Sequence, residues 1–109
     1  MIHPIIEENK KELFELCKRH YIKSLYVFGS ITKDYFNEKS DIDFLYEIDL
    51  IKFNDWATGN YDYTDNILSF ESGLKRIFKR EIDLIPDIYF QNRFLKKTID
   101  QSKQIVYAA

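Results

Sequence analysis

The stretch Leu25-Tyr26-Val27-Phe28-Gly29-Ser30, followed after a polar connection by Ser40-Asp41-Ile42-Asp43-Phe44-Leu45-Tyr46, decides how this chain folds. An apolar run over residues 23–28 reads as a strand. Leu25 and Val27 face one way and Tyr26 and Phe28 the other. Both sets are apolar, so the strand is expected inside a sheet that is covered at least in part on both faces. Gly29 then releases the backbone, and Ser30 is placed to cap a turn or short helix over residues 31–35. The connection 35–40 is rich in turn formers, and a second strand is expected over residues 41–46.

Asp41 and Asp43 lie two apart on an extended segment, which puts both carboxylates on one face with their Cα atoms roughly 6.5–7 Å apart. Two like charges that close, half-buried beside Ile42 and Phe44, repel each other. A divalent cation removes the conflict. Carboxylate oxygens without nearby His or Cys select a hard ion, Mg²⁺ or Mn²⁺. A third carboxylate, Asp83, sits in the apolar run of residues 81–85, forty residues beyond Asp43. If its strand lies beside that of the acidic pair, three carboxylates share one site, enough for two ions and in-line phosphoryl displacement. Gly29 lets a phosphate approach the main chain, and Ser30 adds a hydroxyl and backbone N–H groups. Lys33 is within reach of a phosphate oxygen. Alone, a Gly-Ser turn or an Asp-x-Asp strand start is ordinary. Their combination, with a later Asp centred in a strand, points to a metal-assisted polyphosphate site that lacks a Walker motif.

The remaining chain is read as what surrounds that site. A helix is expected over residues 4–20, with Pro4 in its first turn and Ile6, Leu13, Leu16, Cys17 and His20 at helical spacing. Ile67, Phe70, Leu74, Ile77 and Phe78 mark a second helix that starts at Thr64-Asp65-Asn66. A short helix over residues 92–101, with Phe94, Leu95 and Ile99 inward, and a closing strand or tail at Ile105-Val106-Tyr107 complete the order. This is an α/β (α+β) layout with a small mixed sheet flanked by helices. The segment 48–63 gives no clear pattern. Trp56 within it is either an interface residue or a cover for the sheet.

The 109 residues fit a single domain, 1–109, and nine Phe and eight Tyr supply much of its core. A formal net charge of −2 with interspersed signs gives no footprint for non-specific nucleic-acid binding. Lys10-Lys11, Lys18-Arg19 and Lys96-Lys97 read as solvated faces. The lone Cys17 excludes an internal disulfide and reads as a small core residue. His3 and His20 have no third ligand nearby and read as surface or helix-end residues. No signal peptide or membrane-length apolar run is visible, so a cytoplasmic protein without membrane association is expected.

Gly29-Ser30, Ser40-Asp41-Ile42-Asp43-Phe44-Leu45 and Ile82-Asp83-Leu84-Ile85 together resemble the minimal nucleotidyltransferases (MNT) of the DNA polymerase β-like superfamily. The resemblance runs over nearly the whole chain and implies the polymerase β-like nucleotidyltransferase fold. It implies transfer of a nucleoside monophosphate from a triphosphate, with pyrophosphate leaving. Under it, Asp41, Asp43 and Asp83 are the catalytic and metal-binding residues, with Asp83 helping to deprotonate the acceptor. Gly29, Ser30, Lys33 and Ser40 make up the nucleotide-binding set. Small proteins of this type resemble the antitoxin half of two-gene modules whose partner is a HEPN-family ribonuclease toxin. That implies AMP transfer from ATP, with Mg²⁺, to a Tyr hydroxyl of the toxin, and a hetero-oligomer of the two chains. The family pattern Gly-Ser-x-Ala-Arg-Gly is altered here at Thr32, Lys33 and Asp34. Two alternatives therefore stand beside the enzyme: an antitoxin that neutralises its toxin by binding alone, and a nucleotidyltransferase with a small-molecule acceptor.

Overall fold

A computed structural model describes residues 3–49, 63–87, 97 and 101–109. The expected leading helix is two: α1 (Ile5–Glu8) and α2 (Lys10–Arg19), broken at Asn9, whose backbone sits at φ −113°. The Asn9 side-chain amide donates to the Ile5 carbonyl at 2.9 Å, a local bond that competes with a straight helix. The stripe of Ile6, Leu13, Leu16 and Cys17 is buried as its spacing requires, and His20, at the helix end, is buried with it.

Strand β1 (Ile22–Phe28) follows, then a 3₁₀ turn over Gly29–Thr32, then strand β2 (Ile42–Ile48). Helix α3 (Tyr63–Phe78) leads to β3 (Ile82–Pro86), and β4 (Gln104–Ala108) closes the chain. Both α2 and α3 reverse into the following strand through a left-handed residue, Tyr21 at φ 61° and Lys79 at φ 55°. Most of the segments 48–63 and 92–101, with Trp56, Phe94, Leu95, Ile99 and Lys96, lie outside the described residues.

The sheet has four strands in the order β3-β2-β1-β4. β1 is antiparallel to both β2 and β4, while β2 and β3 run parallel, so the sheet is mixed, as expected. β1 is an interior strand. Leu25 and Val27 are fully buried with Ile42 and Phe44 of β2, and the same core takes in Leu13, Leu16, Phe70, Leu74 and Phe78 of the helices. Tyr26 and Phe28 on the opposite face are half-buried, and the Lys103 ammonium lies 4.6 Å from the Tyr26 ring centre. Helices α2 and α3 meet at Gly73, where an added Cβ would lie 2.6 Å from Leu16 Cδ1. With Leu16 as it stands, that approach leaves no room for a side chain.

Buried polar groups tie the two helices further. The His20 ring donates from Nδ1 to the Leu16 carbonyl at 2.9 Å and accepts at Nε2 from the Ser69 hydroxyl at 3.0 Å. The Asn66 amide donates to the His20 carbonyl at 2.8 Å. His20 therefore serves the end of α2. Cys17 is buried, and burial pushes its thiol up to about 12, so it is not a nucleophile. Among the described residues, no helix is long and apolar enough to cross a membrane.

Candidate active site

The strand directions decide where the polar residues meet. β2 runs antiparallel to β1, and β3 runs parallel to β2. The end of β1 and the starts of β2 and β3 therefore fall on one edge of the sheet. The register sets Phe28 opposite Asp43, and Asp43 opposite Asp83. The Asp43 and Asp83 side chains are paired across this register and lie close enough to act on each other's ionisation. Two neighbouring carboxyls share a proton when no cation separates them. Burial first, then a proton shared with Asp83, then the charges of Asp83 and Asp41, push Asp43 up to about 6.

Gly29 forms the roof over this pair. Its φ is 73°, a conformation that disfavours any side chain, and a Cβ there would collide with Asp43 Oδ2. Of the turn or short helix expected over residues 31–35, the structure forms a turn, but one that starts at Gly29 and is not capped by Ser30. It is a single 3₁₀ turn that already includes Ser30 and makes no side-chain cap bond. Ser30 Oγ instead donates to the Asp41 carbonyl at 3.4 Å, and Thr32 Oγ1 donates to the Gly29 carbonyl at 2.7 Å. Thr32 thus closes the turn through its own hydroxyl, a role the sequence pattern alone did not disclose.

The other expected residues are spread around this centre. Asp41 precedes β2 and is exposed. Its charge acts on Asp43, but its carboxyl does not join the Asp43–Asp83 pair. Asp34 is also exposed, past the turn. Lys33 is exposed and lines an open cleft of about 430 Å³ with Thr32, Gln101, Ser102 and Gln104, on the β4 side of the turn. The Ser40 hydroxyl accepts from the Asn37 N–H at 3.0 Å and so shapes the turn that leads into Asp41. Arg80 is the residue the sequence reading missed. Its Nη1 donates to the carbonyls of Asn37 and Ser40, 3.0 Å each. Its partners are main-chain atoms, which leave no mark on the sequence.

Among the described residues, no three His, Cys, Asp or Glu side chains converge ready to hold an ion. What is present is a neighbouring pair with a third carboxylate close enough to repel it. All donors are carboxylate oxygens, and Asp43 is raised first by burial and then by its carboxylate neighbours, both of which disfavour its charge in the absence of a cation. Asp43 and Asp83, with Asp41 near them, offer the carboxylate oxygens that suit a hard ion.

Comparison with known proteins bears on this geometry. The nucleotidyltransferase domain model matches residues 10–106. A Methanocaldococcus jannaschii protein named "Putative protein adenylyltransferase MJ1379" is 30% identical over 100 residues, covering 92% of this chain and 89% of its own. Among solved structures, a minimal nucleotidyltransferase superposes with a TM-score of 0.69 at 16% identity, covering 95% of each chain. A complex of the tri-AMPylated Shewanella oneidensis HEPN toxin with its MNT antitoxin superposes with a TM-score of 0.59 at 12% identity, covering 95% of this chain and 73% of that one. At those identities the two structures share the fold.

Proposed function

Because this chain belongs to the nucleotidyltransferase domain family, we propose that it transfers AMP from ATP to a Tyr hydroxyl of a partner HEPN-family toxin and so acts as the toxin's antitoxin. The observation that carries this reading is the register that sets Asp43 against Asp83 beside Gly29. The name of the Methanocaldococcus relative supports a protein acceptor, and the modified Shewanella toxin supports AMP as the group transferred. In this reading the protein works in the cytoplasm as a hetero-oligomer with its toxin.

The roles follow from position. The Gly29–Thr32 turn presents main-chain N–H groups to the triphosphate, and Ser30 holds that turn to Asp41. Lys33 supplies a positive charge beside the turn. Mg²⁺ or Mn²⁺ on Asp43, Asp83 and Asp41 would offset the phosphate charge and the charge developing on the leaving group. The acceptor hydroxyl gives its proton to the Asp83 carboxylate, which lies on the exposed strand position and so faces an incoming protein. The acceptor oxygen bonds the α-phosphorus. The bond from that phosphorus to the oxygen bridging to the β-phosphate breaks, and its electron pair leaves with pyrophosphate.

The test uses ATP labelled at its α-phosphate, with the toxin purified beside this protein. Label is expected on a toxin Tyr, with loss of ribonuclease activity. An unlabelled toxin that is nonetheless inhibited, by protein shown to bind Mg-ATP, would sink the transfer reading in favour of inhibition by contact.

A further inference from the structure

Arg80 stands between α3 and β3, three residues before Asp83. It reaches back across the chain to the turn that precedes Asp41. That turn closes on itself: the Ser40 N–H donates to the Asn37 carbonyl at 3.0 Å, and the Lys39 N–H donates to Asn37 Oδ1 at 2.8 Å. One nitrogen of Arg80 binds both ends of it, through the carbonyls of Asn37 and Ser40. The guanidinium lies 4.9 Å from the ring centre of the buried Phe36, a favourable cation–π contact. One residue later, the Glu81 carbonyl accepts from the Ile42 N–H at 3.2 Å. Side chain and main chain therefore join the same two segments, one delivering Asp41 and Asp43 and the other delivering Asp83.

We infer that Arg80 is a positioning residue that holds Asp41 in register with the Asp43–Asp83 pair, and so sets the affinity of the three carboxylates for a divalent cation. Arg80 donates to main-chain carbonyls, so it acts through geometry and not as a ligand. The inference rests on the carboxylate site proposed above. Without Arg80 the turn keeps its internal bonds and the flanking Ser30–Asp41 and Ile42–Glu81 bonds, but loses the one side chain that ties both of its ends to the segment delivering Asp83.

The test is Mn²⁺ binding to the full chain without nucleotide, followed by titration calorimetry beside a thermal melt. Arg80→Gln is expected to weaken Mn²⁺ binding about tenfold, as loss of an outer support does at metal sites. Arg80→Lys keeps a cationic donor but not the planar fork, and it guards against a glutamine variant that fails to fold. It is expected to bind more weakly than wild type and more tightly than Arg80→Gln. Gly73→Ala, at the helix contact, lowers stability away from the site and is expected to bind Mn²⁺ as wild type does. Wild-type affinity in either Arg80 variant, or an equal loss in Gly73→Ala, overturns the proposal. Asp43→Asn is the reference for the site itself: if it leaves Mn²⁺ binding intact, the carboxylate reading has failed and the Arg80 role falls with it.

Discussion

Gly29 and Asp43 compete for one volume: the space a side chain would take at Gly29 is filled by Asp43 Oδ2. Gly29, the residue proposed to let phosphate near the main chain, is thereby also the one that lets the central carboxylate stand at the end of β1. Gly29→Ala is expected to force Asp43 aside and to strain the backbone at φ 73°. Folding should lose about 1–2 kcal/mol from the left-handed conformation, while transfer drops about 100-fold, since displacement on the scale of 1 Å suffices for that. Melting temperature and initial rate, measured on the same preparation, check this. An alanine variant with wild-type rate would show that the carboxylate tolerates the shift.

Asp43→Asn and Asp83→Asn should each remove transfer, as should chelation of divalent metal. Neither should lower the stability of the metal-free protein. Burial first, then the Asp83 contact and the charges of Asp83 and Asp41, oppose ionisation of Asp43, and each variant removes one carboxyl of that pair. Urea unfolding in chelator gives the comparison. A clear loss of stability in either variant would mean that the pair is a structural bond and not a strained site.

The buried His20 predicts the direction of one pH effect. Burial lowers its pKa below 6.5, against a smaller opposing effect of the Leu16 carbonyl bond. A depressed imidazole binds its proton more readily in the unfolded chain. Its contribution is therefore fully present above 6.5 and is lost as pH falls through that value toward the folded pKa. Asp43 acts with the opposite sign, because its folded pKa is raised to about 6. The informative quantity is the difference between wild type and His20→Gln, from which Asp43 cancels. Wild type should lose more stability than the variant between neutral and mildly acid pH in denaturant titrations.

Gly73→Ala should destabilise, although alanine is favoured over glycine in a helix by about 1 kcal/mol. The new methyl would sit 2.6 Å from Leu16 Cδ1 and 2.8 Å from Cδ2, so the buried Leu16 side chain must repack. Overpacking of that kind costs about 1–3 kcal/mol, leaving a net loss of about 1 kcal/mol. In a Leu16→Ala background the clash is gone, and the same substitution should then stabilise. A double-mutant cycle of unfolding free energies reads the sign change directly.

The sequence carried much of this fold because most of its elements are local. Alternation over Leu25–Phe28 and the stripe of Ile67, Phe70, Leu74, Ile77 and Phe78 depend on neighbours a few residues away. The break at Asn9 escaped notice because a single amide bond to the Ile5 carbonyl overrides an otherwise continuous stripe. Ser30 looked like a cap by residue type. The turn instead incorporates Ser30 and is closed by Thr32, and hydroxyls at adjacent positions compete for such roles with no signature to tell them apart.

By itself the sequence determined which groups were available: a glycine ending one strand, two aspartates opening another, and a third centred in a later one. Their types and spacings fix the chemistry, because charge and backbone freedom belong to each residue wherever it lies. The tertiary structure alone decided which of them touch. Parallel pairing of β2 with β3 joins Asp43 to Asp83 and leaves Asp41 outside the contact, while Arg80 braces the turn through carbonyl oxygens. Strand register comes from packing between segments far apart in the chain, and main-chain acceptors are the same at every residue. Neither can be read from side-chain identity along a line.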